Sequence, residues 1–116
     1  MKIIDFHCHP GYDFYRQVHG IQIDNELFFS DLSECGITRC CGSVINEAMC
    51  CRPVSEYEQI IPELNNRALR TEVESGGRYI PGIHIHPAFV RMSCEEIERC
   101  HALGVKLIGE LVPYMM

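Results

Sequence analysis

Apolar residues follow two rhythms along this chain. Short runs rich in Ile, Val, Phe and Cys occupy residues 3–9, 37–45, 79–86 and 105–112. The stretches between them place apolar residues three or four apart. The runs have the length of buried strands, and the wider spacing is that of helices with one apolar face. Asp24 predicts the N-cap of a helix over 24–35, with Leu27, Phe28, Leu32 and Cys35 turned inward and Gly36 as its stop. Ser55-Glu56-Tyr57-Glu58 reads as a capping box opening a short helix. Pro62 fits the first turn of a helix better than its interior, so a separate helix is expected from there to about Ser75, ended by Gly76-Gly77. Ser93-Cys94-Glu95-Glu96 predicts a third capped helix reaching Leu103, with Ile97 and Cys100 inward. Strands alternating with helices through short connections are the mark of parallel βαβ units. The expected fold class is therefore α/β, with a parallel sheet in the order 1-2-3-4. Residues 10–23 and 46–54 fall beyond strand ends, where open α/β sheets and barrels carry their chemistry.

The first run contains the densest candidate chemistry: Ile3-Ile4-Asp5-Phe6-His7-Cys8-His9-Pro10. Alternate strand residues share a face, which groups Ile3, Asp5, His7 and His9 against Ile4, Phe6 and Cys8. The second set is expected to pack on helices. His7 and His9, two apart at a strand end, can lean toward one metal ion. Asp5, one step deeper, is placed to orient a ligand from behind. The third run ends in a second His-X-His-Pro, with His84 and His86 as candidates either for lining a substrate pocket or for simply satisfied polar residues.

Length and composition narrow the picture. The 116 residues hold one domain, spanning 1–116. Sixteen acidic against ten basic residues give a net charge of −6 and no basic stripe, which speaks against general nucleic-acid binding. No apolar run approaches the ~20 residues of a membrane span, and no signal peptide precedes Asp5, so a cytoplasmic location is expected. The eight cysteines show no Cys-x2-Cys knuckle, and several fall inside expected strands and helices. They read as reduced thiols, mostly buried as small apolar residues.

The fourth run, Val105-Lys106-Leu107-Ile108-Gly109-Glu110-Leu111, places Lys106, Ile108 and Glu110 on one face, with Glu110 at its far end. Together, Ile-Asp-Phe-His-Cys-His-Pro and Ile108-Gly109-Glu110 resemble the metal-dependent amidohydrolase superfamily. The spacing is similar to its amidohydrolase-2 branch, and Ile-Gly-Glu is similar to its TatD-like branch. The TatD-like pattern continues Gly-Leu-Asp, where this chain has Leu111-Val112-Pro113. The resemblance covers the first half of that family's (β/α)8 barrel. It implies a TIM-type half-barrel of strands 1–4, with His7, His9 and Glu110 as ligands of a divalent ion, zinc or manganese. Glu110 and Asp5 are the catalytic candidates, and His84 and His86 the substrate contacts. The implied activity is hydrolysis of a C–N or C–O bond in a small molecule. Decarboxylation, TatD-like phosphodiester cleavage and a non-catalytic metal-binding module are the alternatives. A whole barrel needs about 250 residues, so a homo-oligomer closing two half-barrels, or a separate C-terminal half, is expected as partner.

Overall fold

The computed structural model describes residues 2–11, 20, 24–45, 53–109 and 111. Its elements run β1 (Ile3–Asp5), α1 (Asn25–Glu34), β2 (Ile37–Ser43), a 3-10 turn (Val54–Glu56), α2 (Tyr57–Glu74), β3 (Tyr79–Ile83), α3 (Val90–Ala102) and β4 (Leu107–Ile108). The strands form one sheet in the order β1-β2-β3-β4, every neighbouring pair parallel. This is the expected α/β order, with a helix in each crossover. The sheet curls, so that residues at the ends of its two outer strands line one cavity.

Glycines permit the tight curl. At Gly82 on β3, a Cβ would lie 2.8 Å from the Gly109 carbonyl oxygen and 3.1 Å from the Gly42 carbonyl carbon. At Gly42 on β2, with φ +150°, it would lie 2.1 Å from the Cys8 carbonyl oxygen. Backbones approach one another here to distances that leave no space for a side chain.

The main core lies between the sheet and the helices. Phe29 of α1, Cys40 and Val44, Tyr57, Ile61, Leu64 and Ala68 of α2, Tyr79 of β3 and Met92 of α3 pack together with Cys8. A smaller cluster of Ile83, Cys100 and Val105 seats α3, with Leu69, Ile85 and Ile97 against it. Helix α1 begins where expected, the Asp24 carboxylate accepting the Leu27 N–H at 2.8 Å.

Three sequence expectations are corrected. First, α2 is one helix of 18 residues with Pro62 inside it, not two helices split at the proline. Its buried stripe runs unbroken across the proline, from Tyr57 and Ile61 to Leu64, Asn65, Ala68 and Thr71. The packing of that stripe outweighs the ~3 kcal/mol that an interior proline costs. Second, neither capping box forms. Ser55 sits in the 3-10 turn, α2 starts at Tyr57 with Glu56 as an N-cap that makes no side-chain hydrogen bond, and α3 starts three residues before Ser93.

Third, Phe6 does not pack on the helices. Strand β1 stops at Asp5, and the chain bends at Phe6 and His7, so strand parity ends there. Phe6 is left 73% exposed. A bulge between Ile3 and Ile4 also shifts the β1 register, pairing Ile3 with Ile37 but Ile4 with Arg39. Thr38, skipped by the ladder, donates its hydroxyl to the Ile3 carbonyl at 3.0 Å. This edge strand keeps both Ile3 and Ile4 partly in solvent.

The cysteines Cys8, Cys35, Cys40, Cys41, Cys94 and Cys100 are free thiols. Cys8, Cys40, Cys41 and Cys100 are buried, whereas Cys35 and Cys94 are exposed. Cys50 and Cys51 lie outside the described residues. No helix among the described residues is long and apolar enough to cross a membrane.

Candidate functional site

The site forms where β1 gives way to the bend. The Asp5 carboxylate accepts the backbone N–H of His7 at 3.0 Å, a local turn of the kind aspartate favours. Asp5 therefore acts on His7 through the main chain. Two residues on, the Cys8 N–H donates to the Cys41 carbonyl at 3.0 Å, which returns the chain to the sheet beside β2. The Cys8 side chain turns into the core, and its thiol donates to the same carbonyl at 3.4 Å. Its hydrogen bond with the Cys40 thiol, then burial, pushes the Cys8 thiol well above its ordinary range, so it stays protonated. His7 and His9, on either side of Cys8, are held outward.

The two imidazoles converge. His7 Nε2 and His9 Nε2 are 3.1 Å apart, with ring centroids at 4.9 Å and ring planes nearly perpendicular. Two metal–nitrogen bonds of about 2.0–2.1 Å, at angles between octahedral and tetrahedral, place their nitrogens about 2.8–3.4 Å apart. The pair fits that span. On the far side of the His9 ring, Nδ1 lies 2.8 Å from the Ser43 carbonyl. A carbonyl only accepts, so Nδ1 carries the proton and Nε2 presents its lone pair to His7. This is the arrangement by which proteins set the tautomer of a metal-ligating histidine.

Around the pair is a cavity of about 150 Å³ lined by Phe6, His7, His9, Gly42, Leu107, Ile108 and Gly109. It lies at the carboxyl ends of the strands, with the residues that follow β1 on one side and those of β4 on the other. Gly109 lines it, and Glu110 is the next residue in sequence. Glu110 itself lies outside the described residues. Among the described residues, no three His, Cys, Asp or Glu side chains gather as a ligand set.

His84 and His86 are completely buried and do not line the cavity that His7 and His9 share. The β3 ladder ends at Ile83, and helix side chains take over the pairing of the backbone beyond it. Asn65 of α2 accepts the His84 N–H at 2.7 Å and donates to its carbonyl at 3.1 Å. The Ser93 hydroxyl bridges the His86 N–H at 3.1 Å and its carbonyl at 3.0 Å. The His86 ring packs edge-on to Tyr57 and tilted against Phe89, and its Nδ1 accepts the Ala88 N–H at 3.2 Å.

Behind this segment lies a polar chain. The Asn65 amide also donates to Glu96 at 2.8 Å, and Glu96 is gripped by both Nε and Nη2 of Arg99, at 2.7 and 2.8 Å. Arg99 holds the Glu96 carboxyl below its ordinary value of 4.5, with Asn65 helping and burial opposing. A carboxyl lowered in the folded state stabilises fully above its unfolded value and loses that contribution as pH falls through the folded one. Glu96→Gln is therefore expected to flatten the loss of stability below pH 4.5. Urea melts of the two proteins from pH 6 to pH 3 would show it, and parallel profiles would remove Glu96 as a source of acid sensitivity.

Sequence reasoning missed Ser43, Asn65, Ser93 and the role of Phe6. Ser43 acts through its carbonyl, which no side-chain motif reveals. Gly42 and Gly82, glycines inside strands, were the readable signs of close backbone approach.

Fold and site together define a parallel α/β protein with a histidine pair at the carboxyl edge of its sheet. Comparison with family models, curated proteins and solved structures finds no match for this chain.

Proposed function

We propose that the chain is a metal-dependent hydrolase of amidohydrolase type, with its fold the first half of a (β/α)8 barrel. One observation carries the reading: two imidazole Nε2 atoms 3.1 Å apart, one fixed as a lone-pair donor by the Ser43 carbonyl, at the carboxyl edge of a parallel sheet. His7 and His9 would hold a zinc or manganese ion, and Glu110, following Gly109 of the cavity wall, is the proposed third donor. When bound, such an ion acidifies water toward neutral pH and polarises a carbonyl.

The protein's own residues do the positioning. Asp5 fixes the bend that presents His7, and Ser43 fixes the tautomer and direction of His9. Phe6, Leu107 and Ile108 give the cavity apolar walls beside the histidines. Strands β1 and β4 are the edges of the sheet, and pairing with a second copy would cover them.

The test is turnover of neutral aryl esters and amides by chelator-stripped protein, before and after zinc or manganese is restored. Activity should return with the metal and fall by two orders of magnitude or more in His9→Ala. Stoichiometric metal without turnover of esters, amides, carboxylic acids or phosphodiesters would leave the non-catalytic binding module.

A further inference from the structure

The cavity beside the histidines has a wall whose exposure calls for a ligand. Phe6 is the most exposed aromatic side chain of the described core-forming segments, at 73%, and it stands directly beside the paired imidazoles. Across from it are Leu107 and Ile108, the latter 46% exposed. Among the described residues, Gly42 and Gly109 add lining without side chains. Among the described residues the lining thus joins an aromatic side chain just beyond β1, aliphatic side chains of β4 and the two imidazoles.

The cavity's volume sets the size of the occupant. An enclosed cavity of about 150 Å³ can take up benzene; this one, of about 150 Å³ but open to solvent beside Phe6, bounds the apolar group to about one ring. Solvent-exposed apolar surface on both walls gains by being covered. An aromatic face also favours a second ring, stacked or edge-on.

We infer that this cavity selects ligands carrying a six-membered ring next to the metal-binding head, and that Phe6 determines the specificity. The inference rests on the proposed metal site, and adds to it the class of substituent. Asp5 supports it by setting the bend. Strand parity alone would turn Phe6 to the helices, whereas the Asp5–His7 turn brings it to the cavity.

Two hydroxamic acids separate this claim from the one beneath it. Zinc titration of wild type and Phe6→Ala comes first, followed by calorimetric titration of the zinc-loaded chains with benzohydroxamic and acetohydroxamic acid. Both carry the same chelating head, so they differ in the group offered to the cavity. Wild type should bind the benzo compound about tenfold or more tightly than the aceto compound. Phe6→Ala should bring the two within about twofold, Phe6→Leu should fall between, and zinc affinity should be unchanged in both variants. So exposed a side chain can be truncated without disturbing the core. Zinc bound by wild type with no preference for the benzo compound, or a preference that survives Phe6→Ala, overturns the specificity claim and leaves the metal site standing. Failure of wild type to bind zinc overturns both.

Discussion

Gly42→Ala is expected to destabilise the protein by about 3–5 kcal/mol, among the largest effects of any single substitution here. Two causes act together. At φ +150° the backbone is in a region that residues with a side chain rarely adopt. The added methyl would also stand 2.1 Å from the Cys8 carbonyl oxygen, with the Cys8 nitrogen at 3.0 Å. Backbone atoms cannot swing aside as a flexible side chain can, so the β1–β2 contact must open. Cys8 lies between His7 and His9, and Ser43, next to Gly42, anchors His9, so the histidine pair should be disrupted too. Gly76→Ala is the control. Gly76 has φ +63° and nothing within 4 Å of a built Cβ, so it bears only the conformational cost of about 1–2 kcal/mol. Urea denaturation of the three proteins checks this, and equal losses for the two variants would refute close approach at Gly42.

Asn65→Ala should cost about 3–5 kcal/mol as well, by a different route. One buried amide serves three partners: the His84 N–H, the His84 carbonyl and the Glu96 carboxylate. Each buried group deprived of its partner costs about 1–3 kcal/mol. Asn65→Leu keeps the volume and should not rescue, because the loss is of hydrogen bonds and not of packing. Glu96 shares the network, so the double variant Asn65→Ala, Glu96→Ala should lose less than the sum of the single variants. A strictly additive result would mean that Asn65 and Glu96 act independently, contrary to the 2.8 Å hydrogen bond between them.

The order of elements was legible because it depends on rhythm and punctuation, which are local. Asp24 and Gly36 mark α1, and the apolar runs mark the strands. Expectations failed where tertiary packing overrides a local rule. Pro62 argued for a break that the buried stripe from Tyr57 to Thr71 does not allow. Ser93 carried the spacing of a cap, yet its hydroxyl is engaged by the backbone of His86, a contact between elements that no local pattern encodes. Within the site, His7 and His9 lie two apart as read, but they converge across Cys8, whose N–H returns to the Cys41 carbonyl, and not as members of β1. Strand parity does not extend to Phe6 either, because β1 ends at Asp5 and the bend places Phe6 in the cavity beside both histidines. His84 and His86 repeat the His-X-His-Pro pattern but are buried, their backbone held by α2 and α3, so the same motif has two different environments in one sheet.

The central claim, that His7 and His9 bind a divalent ion, is tested most directly by zinc titration against a competing chromophoric chelator. Wild type is compared with the His7→Ala, His9→Ala double variant, with circular dichroism as the check on folding. Wild type should take up zinc with its Nε2 pair as ligands, and the double variant should lose that binding by at least a hundredfold while its spectrum stays the same. A folded double variant that retains the wild-type zinc content would contradict the account.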